Sequence, residues 1–406
     1  MKKNIQNFTL ENNINKNYFK NNSYLKDKIR INKIIKKTYQ NIDDEKNTFH
    51  VLSKKFNFDF DKKNFKNFTK YKNIIIIGMG GSVLGAHSIY SFLKKKVNKN
   101  FIFIDNLDQE KIEDLNIKKN FESNFFIIIS KSGNTIETLI NSNLLKDRIS
   151  SKNTIIITEK KKNLLNAFAK NKKIPQIVHK DYIGGRYSVL SEVGMVPAYF
   201  MGLDVGNFRE NLLSFFKSKK NLILTESITK LAHIYNQKKI NSIILLNYAP
   251  QLNEFLYWCQ QLIAESLGKK GKGILPVVSP APRDHHSLLQ LYLDGPKDKL
   301  FYIFSLNTNE KMKINKNIFD KSFKFLENKK LSKVILSQKK ALIKVLKKKN
   351  IPFREFKINK ITEDAMGELF SYFMLETAFI GRFIGIDPFN QPAVEEIKIL
   401  TKQYLS

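Results

Sequence analysis

Cysteine is nearly absent from this chain: its 406 residues include one, Cys259, which excludes an internal disulfide framework and a cysteine-rich metal centre. Also missing is any apolar run approaching the roughly 18 residues of a membrane span, and the basic start MKKNIQNFTLENNINKNYFKNN has no apolar stretch behind it. The chain therefore reads as soluble and cytoplasmic, without a membrane partner. Acidic residues are few beside basic ones, 37 against 70, for a net charge of +33. The excess is mostly lysine in short runs such as Lys94-Lys95-Lys96, Lys160-Lys161-Lys162 and Lys347-Lys348-Lys349, spread over the whole length. Charge spread in this way reads as solvated faces, so no specific nucleic-acid partner is expected. Attraction of small anionic substrates is compatible with it.

What is present is enough apolar material, 42% of the residues, to fill two cores of ordinary size. Residues 1–70 are rich in Lys and Asn, with weak helical periodicity through Ile29 to Leu52, and read as an N-terminal helical extension. After them the pattern changes. Apolar runs at 73–78, 101–105, 124–129, 153–158 and 175–178 alternate with helical stretches, the signature of a parallel sheet covered on both faces. A second series begins near 240: NSIILLNY, a helix from about 252 to 267, GILPVVS, a helix around 285–293, KLFYIFSL, IPFREFKI and a long helix from about 362 to 384. Residues 203–238 carry helical patterning between the two series, and a last helix runs from Gln391 to about Tyr404. The expected class is α/β, with a first unit over 71–215, a second over 216–390, and residues 391–406 as a C-terminal helix.

Two strand ends carry chemistry-bearing residues. In FFIIISKSGNTIETL the run to Ile129 meets Ser130-Lys131-Ser132-Gly133-Asn134-Thr135 before a helix resumes. Hydroxyls, backbone N–H groups and a helix N-terminus together suit an anion such as phosphate, although a plain capped turn would use the same residue types. The cluster Gly78-Met79-Gly80-Gly81-Ser82 ends the first strand of the series, but it reads G-x-G-G-S-x-x-G, which fits neither the dinucleotide fingerprint nor a P-loop. Its glycines allow a ligand close to the backbone.

Four further stretches join these: GGRYSVLSEVGMVPAYFMGLD at 184–204, QQLIAESLGKKGKG at 260–273, RDHHSLLQLYLDGP at 283–296 and NQPAVEEIKILTKQ at 390–403. With IGMGGSVLG and SKSGNTIET they make six motifs, in order, that closely resemble those of the phosphoglucose isomerase family. The resemblance implies two sugar-isomerase (SIS) domains and interconversion of glucose 6-phosphate and fructose 6-phosphate. It implies that Ser130, Lys131, Ser132 and Thr135 form the phosphate loop, that Gly81 and Ser82 contact the sugar, and that Gln391 lies near the substrate. Glu265 matches the base that moves a proton between C1 and C2, and Arg186 the cation that stabilises the enediolate. His286 and Lys398 match the pair that opens the sugar ring. No metal and no cofactor are implied. The partners implied are a sugar phosphate and a second copy of the chain, in a homodimer whose sites take His286 from the neighbouring subunit.

Taken singly, these residues have plainer readings. Glu265 and Lys269 are an i, i+4 pair that could decorate a helix surface, His286 could sit at a solvated helix start, Arg186 could cap a turn, and Lys398 is one lysine among many. The chain also departs from the family pattern: His285 stands where Gln is usual, Ala281-Pro282 lie upstream in place of Gly-Thr, and Ala393 replaces a glycine. Two alternatives stand beside the leading reading. One is broader specificity that includes mannose 6-phosphate. The other is a sugar-phosphate-binding regulator, which would not need Glu265, Arg186, His286 and Lys398 together and would usually carry a helix-turn-helix, for which residues 1–70 offer no convincing candidate.

Overall fold

Near-continuous Ile and Phe runs become strands, and the amphipathic stretches between them become the helices that cover both faces. The computed structural model describes residues 7–405 apart from 16–17, 19–20, 118–123, 238, 308–311 and 316–320. Its strands are β1 (Phe8–Asn13), β2 (Asn73–Ile77), β3 (Asn100–Ile104), β4 (Asn124–Ile129), β5 (Thr154–Thr158), β6 (Gln176–Val178), β7 (Ser242–Asn247), β8 (Leu275–Pro280), β9 (Lys299–Leu306) and β10 (Phe353–Ile358). They form two five-stranded sheets, ordered β3-β2-β4-β5-β6 and β1-β10-β9-β7-β8. Every pairing is parallel except that of β1 with β10. The expected strands of both series fall on β2 to β10, and the expected long helix on Glu363–Phe383.

The four consecutive isoleucines of β2 show how the layers are built. Ile74 and Ile76 face a large central core that also receives Ile243 and Leu245 of β7, while Ile75 and Ile77 face a separate outer core. On the second sheet Ile244 and Leu246 turn to an outer core of their own. Strand alternation thus sends every second residue into a core shared by both sheets.

The N-terminal segment departs from a purely helical extension. Helix Asn21–Gln40 and a short turn at Thr48–Leu52 account for the periodicity, but β1 precedes them and pairs antiparallel with β10, Phe8 opposite Ile358. Phe8 is buried and its ring lies edge-on to Tyr372 at 5.6 Å. An edge strand in a Lys- and Asn-rich stretch is specified by its partner more than by its own propensity. The helix Leu331–Lys348 is likewise additional to the elements expected.

One buried charge locks these pieces together. Arg354 of β10 is fully buried and donates to Asn12 Oδ1 of β1 (2.9 Å), Ser227 Oγ of helix Ser218–Gln237 (2.5 Å), and Tyr372 Oη (2.6 Å) and both oxygens of Glu376 (2.8 and 2.7 Å) on helix Glu363–Phe383. Removing one partner of such a pair strands the other charge without water. Arg354→Met is therefore expected to lower stability by about 3–5 kcal/mol, read from urea unfolding midpoints. A smaller loss in the Arg354→Met/Glu376→Met double variant is expected, because no unpaired charge is then left.

Candidate active site

In the first sheet the chain runs from β2 outward to β3 and then crosses back to β4 on the other side, so the loops after β2 and β4 flank one crevice. Such a reversal at the carboxyl ends of parallel strands is the usual ligand position in open α/β sheets. The two loops are the glycine-serine turn and the hydroxyl loop.

The hydroxyl loop is a turn held open at its tip. Ser130, buried at the end of β4, places Oγ 2.8 Å from Thr135 Oγ1 and accepts the Gly133 N–H at 3.2 Å. Gly133 has φ +66°, and a Cβ there would lie 2.1 Å from the Asn163 side chain, so the turn needs glycine on both counts. The Lys131 carbonyl faces β5, accepting from Glu159 N–H (3.1 Å) and Thr158 Oγ1 (3.3 Å). A trans peptide then turns the Ser132 N–H the opposite way. The N–H groups of Lys131, Ser132 and Thr135 have no hydrogen-bond partner among the described residues, and helix Ile136–Leu144 begins directly after with no side-chain cap. Hydroxyls, unused N–H groups and a helix N-terminus form a cup for an anion. The Lys131 ammonium takes another direction, donating to the Asp181 carbonyl at 2.6 Å and lying 3.5 Å from Glu159 Oε1.

The glycine-serine turn brings the crevice to Arg186. A Cβ on Gly81 would lie 2.3 Å from the Gly185 carbonyl carbon and 2.6 Å from Arg186 N, so only glycine permits the two backbones to touch. Ser82, half-buried, ends the short turn Gly80–Ser82, just before helix Leu84–Leu93. Arg186 is 2% exposed and uses its whole donor fork. Nε bonds Ser266 Oγ (2.9 Å), one terminal nitrogen bonds Glu265 Oε2 (3.1 Å) and Gln391 Oε1 (2.8 Å), and the other bonds the carbonyls of Pro388 (2.7 Å) and Asn390 (3.0 Å). The guanidinium is thereby fixed against a carboxylate.

Glu265 sits near the end of helix Asn253–Leu267 with 31% of its side chain exposed, Oε1 accepting from Gln261 Nε2 at 2.9 Å and Oε2 facing Arg186. Lys269 is not its partner: it donates to the carbonyls of Asp387 (2.6 Å) and Ser266 (3.2 Å), and burial with the neighbouring Arg186 charge lowers its pKa to about 8. The surface-pair reading of Glu265 thus fails, because the lysine is spent on backbone oxygens. Tyr187 Oη lies 3.0 Å from Ser266 Oγ and, buried, is pushed up to about 12. Gln261, Ser266 and Tyr187 form part of this cluster but do not stand out in the sequence; only the i−4 spacing of Gln261 from Glu265 on one helix face pointed to it.

His286 and Lys398 lie apart from the cluster. His286 follows the edge strand β8, exposed, and its side chain makes no hydrogen bond among the described residues. Its loop is anchored by its neighbours: buried Asp284 accepts from Ser279 Oγ at 2.8 Å, and His285 Nε2 meets Tyr248 Oη at 2.7 Å. Burial chiefly, with the adjacent His286, holds the His285 pKa below its usual value. Lys398 lies on helix Glu395–Leu405, paired with Glu395 at 2.6 Å, and every residue described on that helix is exposed. No group of three or more His, Cys, Asp or Glu side chains placed to hold a metal ion occurs among the described residues. No helix among them is long and apolar enough to cross a membrane.

The chain is similar to known proteins over most of its length. The chain is 34% identical over 354 residues to a glucose-6-phosphate isomerase of Methanocaldococcus jannaschii, covering 84% of this chain and 86% of that one. It is 31% identical over 376 residues to a glucose-6-phosphate isomerase of Campylobacter jejuni, covering 88% and 91%. A crystal structure of a hypothetical protein from Thermus thermophilus shares the fold with a TM-score of 0.81 at 22% identity, over 98% of this chain and all of that one. A profile of the family described as phosphoglucose isomerase matches residues 6–406, and the chain belongs to that family.

Proposed function

We propose that this chain is a glucose-6-phosphate isomerase, a metal-independent, homodimeric aldose–ketose isomerase of the cytoplasm that interconverts D-glucose 6-phosphate and D-fructose 6-phosphate. The observation that carries the reading is the fixed Arg186–Glu265 pair, reached through the glycine-serine turn from the hydroxyl cup. A base beside a preorganised cation is what enediolate chemistry requires. In this reading residues 71–215 are the sugar-isomerase domain with the phosphate loop, 216–390 the second, and 391–406 the segment carrying Lys398.

The phosphate sits on Ser130, Ser132 and Thr135 and the free N–H groups of the loop, Lys131 contributing through its backbone. Gly81 and Ser82 contact the sugar, and Gln391 lies beside it. His286 and Lys398 move a proton between ring oxygen and C1 hydroxyl, opening the ring. Glu265 then takes the C2 proton, the negative charge spreads over the enediolate oxygens near Arg186, a proton passes from the C2 oxygen to the C1 oxygen, and the proton on Glu265 returns to C1. Arg186 needs no rearrangement at that moment, being already held by its five partners. His286 of the partner subunit completes each site. The uncovered helix Glu395–Leu405, with Ile397 at 68% and Tyr404 at 87% exposure, is consistent with a second chain lying against it.

The direct test is purified protein incubated with fructose 6-phosphate in EDTA while glucose 6-phosphate is followed. Product is expected with chelator present; folded protein without product would overturn the reading. Thr135→Ala removes one hydroxyl of the cup, and weaker binding of both sugar phosphates and of inorganic phosphate, by about 1–3 kcal/mol, is expected from inhibition constants.

A further inference from the structure

Lys131 is part of the hydroxyl loop by sequence, yet its ammonium is spent on a bond that leaves the cup. It donates to the Asp181 carbonyl at 2.6 Å, in the turn that leads through Gly184 and Gly185 to Arg186. What holds it there is Glu159, at the end of β5, a carboxylate 4% exposed that lies 3.5 Å from Lys131 Nζ and 2.5 Å from Lys161 Nζ. We propose that Glu159 is a positioning residue for the isomerisation: by keeping the Lys131 ammonium on the Asp181 carbonyl, it sets the spacing between the phosphate cup and Arg186. The inference rests on the isomerase reading above.

Three features of the site support it. First, the cup does not depend on the Glu159 carboxylate, since the Lys131 carbonyl is held by the Glu159 N–H and by Thr158, and the Ser130 hydroxyl meets Thr135. Losing the carboxylate leaves the phosphate donors in place, frees the link to the Arg186 turn and releases the exposed Lys161 ammonium to solvent. Second, Glu159, Lys161 and Asp181 line a cavity of 430 Å³. Close packing does not back the link on that side, so a salt bridge carries what side-chain contact carries elsewhere. Third, the reacting carbons must meet Glu265 and Arg186 while the phosphate stays in the cup, and a displacement near 1 Å between two such subsites is costly to the chemical step.

The test uses the full chain and measures kcat, KM for fructose 6-phosphate and inhibition by inorganic phosphate, in wild type, Glu159→Gln, Lys131→Met and the double variant. Each single change is expected to lower kcat about tenfold while the phosphate inhibition constant stays within about twofold. The double variant is expected to be no slower than Lys131→Met, because both changes break one link. Lys131 is partly exposed, so its variant serves the test if Glu159→Gln fails to fold. Wild-type kcat in Lys131→Met would overturn the proposal. So would weakened phosphate inhibition at unchanged kcat, which puts the ammonium on the phosphate, and so would additive losses in the double variant. An inactive wild type overturns the isomerase reading as well, whereas an active wild type with unaltered variants overturns this inference alone.

Discussion

Glu265→Gln is expected to lower kcat for fructose 6-phosphate by about 10³-fold, within the usual range for removal of a general base, and to stop exchange of the C2 proton of glucose 6-phosphate with solvent. The amide is nearly isosteric, and the residue is partly exposed on a helix whose buried side is made by others, so the fold should persist. Two donors face the carboxylate, Gln261 Nε2 and a terminal nitrogen of Arg186. An amide offers one acceptor, so one of them loses its partner, but neither change supplies a base. In the proposed mechanism ring opening falls to His286 and Lys398, which lie away from this cluster, so the variant should interconvert anomers at close to the wild-type rate. Anomer exchange and solvent-proton exchange, both followed by NMR, separate the two steps. Continued C2 exchange at the wild-type rate would assign the base elsewhere.

The second large effect is a gain. Mixing Glu265→Gln chains with His286→Ala chains is expected to restore about a quarter of wild-type activity, although each variant alone shows far less. In a two-fold dimer whose sites combine Glu265 of one chain with His286 of the other, a mixed dimer has one site with both defects and one with neither. Random exchange at equal amounts makes about half of the dimers mixed. The exposed position of His286 beyond the edge strand β8, out of reach of Arg186 and Glu265 by any hydrogen bond in its own chain, motivates the experiment. Activity no greater than the sum of the parents, after subunit exchange has been verified, would show that His286 serves its own chain or no site at all.

Much of this architecture was legible because parallel strands buried on both faces leave uninterrupted apolar runs, as in NIIII of β2 and NFFIII of β4. The hydroxyl cup was legible because Gly133 and the hydroxyls around it are local, their bonds closing within a few residues. Strand β1 was not, since six mostly polar residues become a strand only when β10 offers its edge. Lys269 misled by spacing, because i, i+4 predicts proximity on a helix and cannot know that the Asp387 carbonyl arrives from a distant segment. The direction of the Lys131 side chain was hidden for the same reason. Helix Leu331–Lys348 has Leu342 and Leu346 at helical spacing, but the same face buries Lys339, whose charge is absorbed by Ser305 and Glu355 of two other strands.

The pairing of β1 with β10 also has a consequence for the order in which the molecule can be made. On the ribosome the chain emerges N-terminal end first at about 5–20 residues per second, so β1 is made long before its partner β10. The sheet of β2 to β6 has all its strands available by Val178 and can close early. The other sheet cannot be completed until Ile358 is free, and until then Phe8 and Leu10 have no strand to join and Arg354 has not yet appeared to gather Asn12. Sequence-distant closure of this kind makes the final step slow relative to the local ones.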